Sequence, residues 1–201
     1  MEYWIDFAKG PLFAVSFLIM VLGLARHFIL QTYSLAVVKG RRLRNVSWKK
    51  ISLDTLSWAV PVKHMIPGTV FFSIVSFLSH IGIIIVPVLL ADHIVLWEGF
   101  LGINLPQIPH NIADYLTLFT IGCLIILLYF RIFVSKHRAV STTSDYLILI
   151  MVLLPFVTGY LASHPSVNFL EWEVMMLLHL LSGNLLLIII PFTKLAHIVL
   201  F

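Results

Sequence analysis

Five runs of apolar residues divide this chain, at about 11–33, 65–97, 113–130, 145–162 and 174–192. Each is bounded by charge, Gly, Pro or an aromatic residue. A helix rising 1.5 Å per residue needs about 20 apolar residues to cross a hydrocarbon core of about 30 Å. Lipid offers the backbone no hydrogen-bond partner, so runs of this kind fold as helices. Only 11% of the residues are charged and 60% are hydrophobic, whereas soluble domains carry about 25% charge. The sequence therefore predicts an all-α membrane protein, five transmembrane helices in an antiparallel bundle, with residues 1–201 forming one integral membrane domain. The second run exceeds what one span needs, so its first half is expected to extend beyond the bilayer or lie against a partner subunit. Met1-Glu-Tyr-Trp-Ile-Asp-Phe has no basic n-region, and the first run is expected to stay as a helix rather than be cleaved.

Charge sets the expected orientation. Lys39, Arg41, Arg42, Arg44, Lys49, Lys50 and Lys63 lie between the first two runs, and Arg131, Lys136 and Arg138 follow the third. With Arg26 and Lys194, they put twelve of the thirteen Lys and Arg residues on one side, leaving Lys9 on the other. The positive-inside rule then predicts the N-terminus outside and the C-terminus inside. Trp4, Trp97 and Trp172 would mark one interface, Trp48 and Trp58 the other. The basic excess reads as a topology signal and not as a nucleic-acid surface. A single cysteine, Cys123, lies within an apolar run, which excludes an internal disulfide and argues against a thiolate-held iron–sulfur cluster.

Nine histidines remain to be explained. His137 in a basic loop, His164 in an outer loop, His27 beside Arg26 and His64 beside Lys63 read as solvated or interfacial. His110 stands near Asp114 and could serve proton transfer. Of the other four, His80, His93 and His179 fall inside apolar runs and His197 follows the fifth on the same apolar segment, where ionisable groups are rare without a function. His179 and His197 are eighteen residues apart, five turns, so on one straight helix they share a face about 27 Å apart along the axis. His80 and His93 sit on the second run. Antiparallel spans pair His80 with His197 toward the inner side and His93 with His179 toward the outer. That arrangement offers two bis-imidazole sites at different depths, as a dihaem cytochrome requires. Four histidines hydrogen-bonded in a bundle core is the competing reading. The thirteen residues between His80 and His93 rotate their side chains about 140° apart on an ideal helix, with Pro87 between them to kink or rewind it.

The stretch His179-Leu-Leu-Ser-Gly-Asn-Leu-Leu-Leu-Ile-Ile-Ile-Pro-Phe-Thr-Lys-Leu-Ala-His197 resembles the last helix of the gamma subunit of respiratory nitrate reductase, a dihaem membrane cytochrome b. That family pattern is His, a Gly four residues on, Pro-Phe-Ser/Thr-Arg/Lys, and His at +18. Arg131-Ile-Phe-Val-Ser-Lys-His-Arg-Ala-Val-Ser-Thr-Thr-Ser-Asp-Tyr-Leu-Ile-Leu is similar to the family's basic, Thr-rich inner loop. Ser79-His80-Ile-Gly is similar to its Phe-His-x-Gly on helix two. The likeness covers about residues 75–201. The nitrate reductase type separates its helix-two ligands by ten residues. The longer spacing here, with a proline, resembles the cytochrome b subunits of sulfate-reducer membrane complexes.

The resemblance implies two haem b groups, with His80 and His197 as axial ligands of one and His93 and His179 of the other. It implies menaquinone or ubiquinone as the exchangeable substrate at the outer haem, and Asp92, Trp97, Glu98, His110 and Asp114 are the quinone and proton candidates there. An ordinary polar interfacial loop would look the same. It further implies an iron–sulfur partner subunit (of heterodisulfide-reductase type in the sulfate-reducer complexes), other membrane or cytochrome c subunits, and a prokaryotic cytoplasmic membrane. Arg41, Arg42, Arg44, Lys49 and Lys50 would form the docking face or simply contact anionic lipid. With no flavin, molybdenum or iron–sulfur signature, such a chain is an electron-transfer subunit and not a complete quinol/quinone oxidoreductase. The competing functions are a haem-free membrane anchor and a small transporter. Neither repeats nor paired broken spans support the latter.

Overall fold

All five apolar runs form helices long and apolar enough to cross a membrane. The computed structural model describes residues 1–42, 47, 49, 53 and 69–198, and the described part is helical with no strand. Trp48, Trp58, His64, the opening of the second run and most of the basic loop lie outside the described residues. The chain is thus a multi-pass membrane protein by the length and apolarity of its helices.

Helix α1 (Glu2–Phe7) passes through a π-helical turn at Ala8–Leu12 into α2 (Phe13–Arg42), and the first membrane-length helix runs Glu2–Val37. It starts earlier than the apolar run suggests. Pro11 lies within the widened turn and supplies no N–H. The Asn184 side chain enters there and donates to the carbonyl of Ala8 at 2.9 Å. A side chain inserted into the ladder is a recognised cause of such a bulge.

The second run is not one span. Helix α3 (Val70–Leu89) ends at Leu90, whose backbone is extended (φ −67°, ψ 132°), and a separate α4 (Ala91–Leu101) follows. Pro87 removes one ladder donor just before the break. Leu90 then bridges Ile108, whose N–H donates to the Leu89 carbonyl at 3.1 Å. Gly102, at φ +67°, ends α4 in the left-handed conformation that glycine alone adopts at little cost.

Helix α5 (His110–Phe133), the short α6 (Ser135–Ala139) and α7 (Thr143–Ser163) come next. Thr142 and Asp145 form a capping box at the start of α7. Helix α8 (Trp172–Ile189) stops where Pro191 cannot continue it. Two 3-10 turns, Ile190–Phe192 and Lys194–Ile198, flank an extended Thr193.

The spans pack in a row: α2 on α8, α8 on α7, α7 on α5, and α5 on α3. Close approach of α3 to α5 needs small residues, and Ser79 and Thr120 are buried there. A β-carbon at Gly82 would collide with Thr120, the pattern expected where lipid gives no hydrophobic drive and backbones must meet. Val86, Leu124, Val152 and Phe156 form the central cluster, joined by Leu186 and Leu195. Large apolar side chains such as Leu22, Ile29, Phe71 and Ile84 face outward, as a lipid-facing surface would. Helices α3 and α8, which carry His80 and His179, are bridged by α5 and α7, while His93 lies on α4 and His197 in the last 3-10 turn.

Candidate functional site

Two histidine pairs form across that bridge. His80 and His197 have ring centroids 5.9 Å apart with planes at 73°, and His93 and His179 have centroids 6.0 Å apart with planes at 8°. Both pairings are the ones that antiparallel spans suggest.

The means of bringing them together differs from the sequence expectation. His197 is not on a continuous helix with His179, because α8 ends at Ile189 and the chain turns at Thr193. The turn is held from two sides. Nε2 of His27 donates to the Pro191 carbonyl at 2.8 Å, and Gly23, one turn earlier, lets the Pro191 ring sit against α2. Lys194 bonds Oδ1 of Asp145 at 2.8 Å and Oγ1 of Thr142 at 3.2 Å, fixing the His197 turn to the start of α7. His93 also departs from expectation. It lies on α4, beyond the break, and the change of direction at Leu90 does what a thirteen-residue step on one helix could not.

Three of the four rings are oriented by backbone carbonyls. Nδ1 of His80 donates to the Ser76 carbonyl at 2.6 Å, and Nδ1 of His197 to that of Lys194 at 2.7 Å. Nδ1 of His179 donates to the Pro155 carbonyl at 3.0 Å. A carbonyl accepts only, so these contacts put the proton on Nδ1 and leave Nε2 with its lone pair free, the state a metal-ligating imidazole adopts. Gly159 is part of this device: a β-carbon there would lie 2.8 Å from Cε1 of His179. Nδ1 of His93 is buried without a partner. The carbonyls of Val86 and Pro87 lie close to that ring without meeting hydrogen-bond geometry.

The separations suit a metal between the rings. Two metal–nitrogen bonds of about 2.0 Å, plus about 1.1 Å from each nitrogen to its ring centre, place imidazole centroids about 6.2 Å apart whatever their twist. Among the described residues no three His, Cys, Asp or Glu side chains gather as a metal site. Two axial nitrogens alone therefore suit a metal that brings its own equatorial ligands. A cleft of about 180 Å³ runs beside His80 and His197.

The remaining candidates divide. Trp97 donates from Nε1 to the Pro87 carbonyl at 3.2 Å and packs on Phe13 and Phe17, each with centroids 5.6 Å away. It braces the break. Asp114 meets Nε2 of His164 at 3.4 Å. His164 also stacks on Tyr160, with centroids 4.1 Å apart, so it is not merely solvated. Asp92, Glu98 and His110 are exposed, and no side-chain ion pair among the described residues joins them to one another or to Asp114. An open groove of about 350 Å³ is lined by Lys9, Pro11, Phe13, Leu96 and Phe100. His137, expected in solvent, is buried and stacks on Phe72 at 4.2 Å. Sequence reading passed over Gly159, His27 and the Asp145–Lys194 pair. The signals available were a Pro-x-x-x-Gly step inside the fourth apolar run and opposite charges at the start of that run and just past the end of the fifth.

The chain is 36% identical over 204 residues to a protein of Nitratidesulfovibrio vulgaris strain Hildenborough, across 97% of this chain and 87% of that one. That relative is described only as a protein, so the kinship brings no activity with it. No family model matches the chain, and no solved structure matches it.

Proposed function

We propose that this chain, which belongs to one family with the Nitratidesulfovibrio vulgaris protein, is a dihaem b-type cytochrome subunit of a membrane respiratory complex. The observation that carries this reading is the pairing of four histidines from the second and last helical segments, three with Nδ1 tied to a backbone carbonyl and Nε2 free. His80 and His197 would hold one haem b, His93 and His179 the other. Haem iron supplies one-electron redox chemistry, cycling between the ferric and ferrous states. The protein's part is to fix both imidazoles of each pair, to set their depth, and to surround them with apolar side chains.

The charge distribution supports a topology with the N-terminus outside and the C-terminus inside, in the cytoplasmic membrane of a prokaryote. His80 and His197 would then serve the inner side and His93 and His179 the outer. Menaquinone or ubiquinone would exchange electrons at the outer pair. The groove between Pro11, Phe13, Leu96 and Phe100 is apolar enough for a quinone ring, and Asp114 with His164 would carry protons outward. Electrons would pass to or from an iron–sulfur subunit docked at the inner side, with further membrane or cytochrome c subunits completing the complex.

Electron paramagnetic resonance of the oxidised complex tests the assignment. Two low-spin ferric signals of bis-imidazole type are expected, one vanishing in His80→Ala and the other in His179→Ala. A spectrum without low-spin ferric haem would instead favour a haem-free anchor.

A further inference from the structure

The cleft beside His80 and His197 is lined by a cation with no counter-ion among the described residues. Arg131, in the last turn of α5, lines it together with Asp145, Lys194 and the two imidazoles. The guanidinium is positioned with care. Its Nη1 donates to Oγ of Ser141 at 2.9 Å, and that hydroxyl in turn donates to the His137 carbonyl at 2.8 Å. Its carbon lies 5.7 Å from the centre of the Phe72 ring. The Tyr146 hydroxyl donates to the Arg131 carbonyl at 2.7 Å, fixing the backbone beneath it. Yet Nε is buried and has no acceptor among the described residues. No ion pair joins Arg131 to a carboxylate among the described residues. Asp145, the carboxylate lining the same cleft, is already taken by Lys194 and Thr142.

An unpaired buried donor on a fixed cation is costly at the edge of a membrane. Everything around it is arranged to hold it still. The missing partner is an anionic oxygen; the two imidazoles, apolar side chains, Ser76 and Ser79 and the already paired Asp145 and Lys194 make up the rest of the cleft. We propose that Arg131 binds a carboxylate arm of the haem held by His80 and His197, an inference that rests on the dihaem reading. Haem b carries two propionates, and the planar guanidinium matches a carboxylate through paired N–H donors. A phospholipid phosphate has the same chemistry and is the rival source.

The test compares haem retention in the purified complex, for the unmutated chain and Arg131→Gln, each loaded with native haem or with haem dimethyl ester, which lacks the carboxylates. With native haem, Arg131→Gln should lose one haem roughly tenfold faster while keeping the other. With the ester, the two proteins should lose it at the same rate. Arg131→Lys should fall between. Equal retention of native haem by the unmutated chain and Arg131→Gln overturns the proposal. So does a drop in bound phospholipid phosphate in Arg131→Gln with haem retention unchanged, which would assign the site to lipid. If Arg131→Gln does not accumulate, the unmutated chain decides: equal retention of native and esterified haem overturns the proposal. An unmutated complex that binds no haem at all would instead defeat the dihaem reading itself.

Discussion

At Gly159 a β-carbon would come within 2.8 Å of Cε1 and 2.9 Å of Nδ1 of His179. The ring would have to leave the Pro155 carbonyl, and with it the orientation that frees Nε2. Gly159→Ala should therefore deplete the haem at His93 and His179 while the other stays, a selective loss visible in a difference spectrum. Should both haems persist at full occupancy, the glycine has no positioning role. His93 is the looser member of its pair, since its Nδ1 has no partner. Ligating imidazoles are usually steadied by such a bond, and losing one costs about 10–100-fold in metal affinity. The haem at His93 and His179 is accordingly expected to dissociate faster than the one at His80 and His197. Stopped-flow transfer to an apo haem acceptor reads both rates. Pair members such as His93 and His179 were readable as candidates from their place in apolar runs. Gly159 was not, because its role depends on which helix packs beside it.

Two interruptions do most of the positioning at the level of elements. The extended Leu90 re-aims His93, and the Pro191–Thr193 turn re-aims His197. The second is clamped by Asp145 and Lys194, with Lys194 59% and Asp145 12% exposed. A pair open to solvent on one side contributes at most about 1 kcal/mol, so Lys194→Ala should barely lower thermal stability. It should nonetheless free the turn, and the His80–His197 haem should be lost preferentially on purification. A fall in melting temperature without selective haem loss would make the pair a purely structural tie. On the α3–α5 face, Gly82→Val should destabilise by about 1–3 kcal/mol through overpacking against Thr120, measured by unfolding in mixed micelles. The five spans were legible because bilayer thickness fixes their length and lipid enforces apolarity. Their interruptions were only half legible. Pro87 and Pro191 announce that the ladder fails, but the direction taken afterwards is set by Ile108, His27 and Asp145, contacts far away in sequence.

At the scale of the whole molecule, the row of spans leaves α3 and α8, which carry His80 and His179, bridged by their neighbours. Outward-facing residues are apolar over most of the described surface, while the basic residues collect on one side in sequence. That asymmetry predicts that cysteines placed at Met1 and at Phe201 label from opposite sides of sealed membrane vesicles. Labelling of both from one side would remove the odd number of spans on which the pairing depth depends. The central claim is that four imidazoles hold two b-type haems within this one chain. Haem per chain in the purified complex, quantified as the pyridine haemochrome beside a reduced-minus-oxidised spectrum, tests it most directly. The account predicts two haem b per chain in the native protein, one in His179→Ala, and one in His80→Ala. A chain that carries no haem, or whose haem content ignores both substitutions, would contradict it.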